Sequence, residues 1–318
     1  MTAPAVPMLT FRVAAARADD ETAMPATPRR VRLGMPHLDV GGLAEGWLFR
    51  EVGDLCWDAI SRRLGVATCD IRDDDRARIY PTVVALRARY DAPLSDVREN
   101  DVFDARIEVT PCGRACAHGR VAASAGPARL AIELVTTFAA RQPDGTMRTA
   151  LPAARLATRW RPVAPLSRLA LLARAARRGE PIEDAFAGPA LEPAGSPLGQ
   201  VSHEPSPYAD YNGAGLLYFA AYPTIADTAE RRLVKQLGLA RPDLPDWALA
   251  TSPVARDVFY FANLPLGEGL VAELLSFEAD SEPGGGVKTR VRLRRARDGQ
   301  TIAHVVTRRT FVRERRGP

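Results

Sequence analysis

Leu48-Phe49-Arg50-Glu51-Val52-Gly53-Asp54-Leu55-Cys56-Trp57-Asp58-Ala59-Ile60-Ser61-Arg62-Arg63-Leu64-Gly65 is the stretch on which the fold turns. Its first five residues read as a strand. Asp54 then supplies a helix N-cap, Leu55, Ala59, Ile60 and Leu64 share one helical face, and Gly65 closes the helix. The arrangement recurs far downstream. Leu217-Tyr218-Phe219-Ala220-Ala221-Tyr222 reads as a strand, and Thr224 and Asp227 are spaced as a capping box. Ile225, Ala229, Leu233, Val234 and Leu237 form the apolar face, and Leu237-Gly238 repeats the Leu-Gly exit of the first helix.

The chain after each helix is also alike in the two halves: a loop, then β-rich stretches ending in a long hairpin. In the first half these lie at 78–90, 101–110, 114–123 and 129–140; in the second at 255–263, 270–279, 287–297 and 301–313. The closing strands alternate in parallel fashion, Leu130, Ile132, Leu134, Thr136, Phe138 against Ala303, Val305, Thr307, Arg309, Phe311, and both carry Thr-Phe at the end. The economical reading is an α+β unit of one helix cradled by an antiparallel sheet, used twice. The boundaries expected are a loose, Pro-containing leader at 1–30, a first unit at 31–150, a connector with a basic helix near 166–178 at 151–207, and a second unit at 208–318.

With 318 residues and 46% apolar content the chain can fill two cores. No apolar run reaches the eighteen residues of a bilayer helix, and residues 1–30 lack a signal-peptide core, so a cytoplasmic setting without membrane partners is expected. Basic residues number 43 against 38 acidic, for a net charge of +5, and nearly all are arginine. That suits a phosphorylated or acidic partner. Nucleic acid is set aside, since neither a reading helix nor basic residues interleaved with exposed aromatics appear.

Walker, dinucleotide-binding and His-Glu-x-x-His signatures are missing. Ser124-Ala125-Gly126 is only a partial nucleophile elbow, with Ala122 in place of the first glycine. Cys112, Cys116 and His118 supply three metal ligands at most, so a hairpin with free thiols is expected and no metal site. Three polar positions flank the helix-containing units: His37 in Gly34-Met35-Pro36-His37-Leu38, Tyr80 in Arg78-Ile79-Tyr80-Pro81-Thr82, and Asn212 in Tyr211-Asn212-Gly213. Each also has a purely structural explanation as a turn or strand residue.

The run from Gly34 to Asp58, Gly-Met-Pro-His-Leu-Asp-Val-Gly-Gly-Leu-Ala-Glu-Gly-Trp-Leu-Phe-Arg-Glu-Val-Gly-Asp-Leu-Cys-Trp-Asp, resembles the opening of the leinamycin-pathway bifunctional acyltransferase/decarboxylase family. Tyr211-Asn-Gly-Ala-Gly-Leu-Leu-Tyr-Phe-Ala-Ala-Tyr-Pro223 is similar to its second-half motif. The resemblance implies a double hot-dog fold, a homodimer, and conversion of methylmalonyl-CoA to a propionyl group delivered to a phosphopantetheinylated acyl carrier protein in polyketide biosynthesis. It further implies catalysis by Tyr80, substrate binding by His37 and Asn212, and no cofactor. Decarboxylation needs only a stabilised enolate oxyanion, for which a helix N-terminus or Asn212 would serve as donor. Two alternatives stay open. One is a hot-dog thioesterase or dehydratase recruiting Asp58 or Glu230; the other is a non-catalytic module that binds an acyl carrier protein.

Overall fold

A computed structural model describes residues 27–143, 145–180, 196–239, 246–280 and 285–312. The first lobe comprises β1 (Thr27–Arg32), the short ladder of β2 (Leu38–Asp39) and β3 (Gly42–Leu43), and helix α1 (Glu45–Leu64). Strands β4 (Ile79–Tyr90), β5 (Val102–Pro111), β6 (Cys116–Ala125), β7 (Ala128–Arg141) and β8 (Met147–Thr149) complete it. A connector carries α2 (Ala154–Ala157) and α3 (Arg168–Arg177). The second lobe contains β9 (Gly199–His203), α4 (Ala221–Gln236), α5 (Trp247–Ala250), β10 (Thr251–Tyr260), β11 (Leu270–Ala279), β12 (Gly286–Arg295) and β13 (Thr301–Phe311).

The two expected sheets join edge to edge through β4 and β10. The antiparallel order is β1-β5-β6-β7-β4-β10-β13-β12-β11-β9, with β8 added against β7. The halves mirror each other about this seam, where Arg87 lies opposite Asp257. Each seam strand is bulged, β4 between Val83 and Ala85 and β10 between Pro253 and Ala255. Alternation along the seam then sorts its side chains to two faces. Leu86 and Val258 join the core with both long helices, while Ala85 and Phe259 pack with Leu169, Ala170 and Ala173 of α3 on the other face.

Both long helices start earlier than their sequences signal. Leu48 to Val52 lie inside α1, and Ala221 and Tyr222 open α4, so neither stretch is the expected strand. The residues at the true starts, Ala44 and Ala220, make no side-chain cap. Asp54 instead faces outward and pairs with Arg29 at 2.7 Å. The Leu-Gly exits do form, with Gly65 at φ 69° and Gly238 at φ 65°, the left-handed conformation that glycine adopts without steric cost. Two boundaries also shift. β1 begins at Thr27, inside the expected leader, because an edge strand tolerates Pro28. β9 lies inside the expected connector, where Val201 pairs with Ala272 and extends the second sheet.

Helix α1 and the loop leading into α4 approach closely at Gly53. A Cβ there would stand 2.7 Å from the Phe219 ring and 3.1 Å from the Tyr218 hydroxyl. Gly53→Ala gains about 1 kcal/mol of helix propensity but forces this packing apart at about 1–3 kcal/mol. The expected outcome is a lower urea midpoint, read by far-UV circular dichroism; an unchanged or higher midpoint would show that Phe219 yields freely.

Candidate active site

β4 and β10 pair only across Ala85–Arg89 and Ala255–Phe259. Toward the start of β4 they part, and a cavity of about 530 Å³ occupies the opening. Tyr80 to Val84 form one wall and Tyr260 to Asn263 the other, with Trp57 of α1 and the residues leading into α4 closing it from the helix side. The parting also explains the local sequence. Pro81 has no N–H to give a ladder, and a strand with one free edge at that point accommodates it.

Tyr80 is half-buried on this wall. Its ring lies 6.3 Å from that of Trp57 and carries the Arg78 guanidinium 4.9 Å above its centroid. Trp57 is itself fixed, donating from Nε1 to the Pro81 carbonyl at 2.9 Å. The Tyr80 hydroxyl has no hydrogen-bond partner among the described residues, so it is uncommitted to the fold.

Asn212 reaches the same cavity from the second lobe. Its Oδ1 accepts from the amides of Ala214 (3.0 Å) and Leu216 (3.2 Å), an Asx turn that leaves the side-chain NH2 as the group it can offer. Arg141 holds the turn from the first lobe through the Ala214 carbonyl at 2.8 Å. Asn263 clamps the next residue, accepting from the Leu217 amide and donating to its carbonyl.

Aromatic residues to which the sequence reading gives no site role line the cavity as well: Tyr218, Phe219 and Tyr222 on the helix side and Tyr260 on the β10 wall. Tyr222 and Tyr260 donate to the carbonyls of Ala262 and Phe219, and burial pushes both phenols above the ordinary tyrosine range. Burial likewise raises Tyr218 to about 12. The charged members of the lining are all arginines. Arg177 is tied to the Tyr260 and Phe261 carbonyls, and Arg295 to Asp298 and the Asn263 carbonyl, whereas Arg174 has no acceptor among the described residues. Among the described residues no carboxylate and no imidazole lines the cavity.

Tyr80 and Asn212 are thus brought together; His37 is not. It ends a single 3-10 turn (Met35–His37), where its Nδ1 accepts from the Gly34 amide at 2.7 Å and its ring meets Trp47 edge-on at 4.8 Å. The reason lies in the pseudo-symmetry. The loop before α1 corresponds to the loop before α4, and Asp39 forms with Gly41 the same Asx turn that Asn212 forms with Ala214. That loop serves the opposite end of the seam, where ion pairs take the place of an aromatic cavity. There Arg256 of β10 holds Glu45 of α1 and Asp227 of α4, and Arg309 holds Asp227 and Glu230.

The carboxylates named for hydrolysis are committed elsewhere. Glu230 accepts from Trp247 Nε1 (2.7 Å), Thr289 Oγ1 (2.6 Å) and Arg309 Nε (2.8 Å), and Asp58 pairs with Arg62 on the surface. Cys112 and Cys116 are free thiols, while His118 pairs with Glu133 at 2.9 Å. Among the described residues no three His, Cys, Asp or Glu side chains are arranged for a metal ion, and no helix is long and apolar enough to cross a membrane. His203 lies on β9, and His304 on β13 is driven down to about 3 by burial and by Arg290 and Arg292. Ser124 ends in the β6–β7 hairpin, not at a strand-to-helix turn.

No protein-family model and no curated protein sequence matches the chain. Solved structures do. A Lactobacillus plantarum structure described as an oleoyl thioesterase superposes with a TM-score of 0.61 at 11% identity, covering 91% of this chain and 96% of that one. The 12:0-ACP thioesterase of Umbellularia californica gives 0.58 at 6%, over 90% and 98%, and an acyl-ACP thioesterase of Bacteroides thetaiotaomicron gives 0.55 at 13%, over 90% and 98%. At such identities the likeness fixes the architecture: the chain has the α+β double hot-dog fold.

Proposed function

We propose that the chain is an enzyme acting on acyl thioesters, with the acyl group received in the Tyr80 cavity. In the finer reading it removes CO2 from methylmalonyl-CoA and passes the propionyl group to the phosphopantetheine thiol of an acyl carrier protein. One observation carries this. A phenol and a carboxamide from opposite lobes share an aromatic, arginine-bearing cavity whose described lining holds no carboxylate or imidazole. Such a lining suits decarboxylation better than hydrolysis. An apolar wall strips water from the departing carboxylate, and the Asn212 NH2 is a donor for the enolate oxygen left on the thioester. Tyr80 acts as nucleophile or as proton donor to the enolate carbon. As nucleophile it needs a base or a cation at its hydroxyl, and the Arg78 guanidinium, stacked over its ring, is the nearest cation the first lobe brings to it. An aryl ester formed there has a good leaving group for the carrier's thiol.

Hydrolysis is the second reading, and the activities of the three structural neighbours favour it. It requires a base to activate water, which Asp58 and Glu230 are poorly placed to provide. Incubation with methylmalonyl-CoA and a phosphopantetheinylated carrier separates the possibilities. Propionyl-carrier is the expected product. Free acid with CoA would overturn transfer in favour of hydrolysis, and unchanged substrate would overturn the enzymatic reading.

A further inference from the structure

Cys112 and Cys116 close the hairpin between β5 and β6, and none of the chemistry proposed for the cavity uses them. We propose that they form a redox-active dithiol that closes to an intramolecular disulfide on the wall of the Tyr80 cavity. The geometry is already in place. The two sulfurs lie 3.0 Å apart. The Cys112 amide donates to the Cys116 carbonyl at 3.0 Å, next to the Pro111–Ala117 pair of the ladder. Residues paired across antiparallel strands in this way have Cα atoms about 5.5 Å apart, inside the span a disulfide bridges. The intervening Gly113-Arg114-Ala115 turn is fixed by the Cys116 amide donating to the Gly113 carbonyl.

The surroundings also distinguish the two thiols. Cys112 is pulled below the usual thiol range, first by the hydrogen bond from Cys116 and also by the nearby Arg174 charge, against the opposing effect of burial. Cys116 is raised, first by that same pair and then by burial. Either thiol can donate to the other, and either order of attack closes the same disulfide. With a disulfide reagent as oxidant, one thiol of the pair, as thiolate, attacks one of its sulfurs and expels the other as thiolate. The other thiol then gives up its proton, attacks the Sγ of the first and releases the second reagent thiol. Two thiols of the protein are oxidised and one reagent disulfide is reduced. Because Cys116 lines the cavity and Arg174 stands beside both sulfurs, closure alters the wall that receives the acyl thioester.

The test equilibrates the folded full-length chain with mixtures of reduced and oxidised dithiothreitol, blocks remaining thiols with N-ethylmaleimide and digests with trypsin. Cleavage after Arg114 separates the two cysteines, so a closed pair appears as two peptides that stay linked until reduced. The expected result is loss of about 2 Da and of two alkylation sites on oxidation, while the exposed Cys69 stays alkylated in every mixture. With glutathione disulfide as a linear reagent, Cys116→Ser should accumulate the mixed disulfide on Cys112. Alkylation of Cys112 and Cys116 as complete as that of Cys69 at the most oxidising ratio would overturn the proposal. So would a cross-link joining either residue to Cys56 or to another chain.

Discussion

Replacement of Tyr80 by phenylalanine is expected to lower turnover of an acyl-CoA substrate by about 100-fold or more while leaving the melting temperature unchanged. Both halves of this expectation rest on the placement of the side chain. The phenylalanine ring keeps the contact with Trp57 and the stacking beneath Arg78. The hydroxyl it removes has no partner among the described residues, so the fold loses no hydrogen bond and stability should stay within about 0.5 kcal/mol. A rate close to that of the parent protein would remove Tyr80 from the chemistry under either role assigned to it. The roles themselves separate on the parent protein: acyl transfer through an aryl ester predicts an acylated peptide containing Tyr80 after quenching with substrate, and proton donation predicts none.

How much of this was legible in the sequence depended on which physical signal was local. The strands after each helix were, since the alternation of Leu130, Ile132 and Leu134 reflects one buried face and survives into β7 with little shift. Helix starts were not. The side chains that signal a start, Asp54 and Thr224, lie within α1 and α4, and the true starts carry alanines, with the Ala44 amide donating to the His37 carbonyl and the Ala221 amide to that of Tyr218. Leu48, Phe49 and Val52 looked like a strand because every one of them is buried, as a helix between sheet and second helix requires. The site obeyed the same rule. Tyr80 and Asn212 stood beside motifs, but their meeting depends on the parting of β4 from β10, a property of the seam and not of either strand. Tyr260 and Arg174 join them through tertiary placement alone, Tyr260 standing where the pseudo-symmetry of the seam puts Tyr90 in the first lobe. His37 fell to the opposite end because the two pre-helix loops serve opposite ends of one pseudo-symmetric molecule.

That opposite end yields the largest expected effect on stability. Arg256 is fully buried, and its guanidinium joins Glu45 at the start of α1 to Asp227 of α4, with Thr307 as a further acceptor at 3.0 Å. Tyr90 completes the cluster by donating to Glu45 at 2.7 Å. Arg256→Met keeps much of the side-chain volume but leaves two carboxylates facing each other without this cation. The expected loss is about 3–5 kcal/mol, equivalent to a fall in melting temperature on the order of 10 °C. The pH dependence identifies the cause. Burial alone would raise the Asp227 pKa, yet Arg256 and Arg309 outweigh it and hold the carboxyl below the ordinary aspartate range. Its contribution in the parent protein is therefore present above the unfolded pKa of about 3.9 and lost as pH falls through the lower folded value. In the variant Asp227 keeps Arg309 alone against its burial, so the depression of its folded-state pKa shrinks and acid costs the fold less than it costs the parent. The stability gap between parent and variant should be widest near pH 7 and narrow toward pH 4.5 or so, and Glu45→Gln in the Arg256→Met background should recover part of it. A gap that is constant with pH would assign the loss to packing, and an unchanged melting temperature would show that the two lobes are fastened elsewhere along the seam.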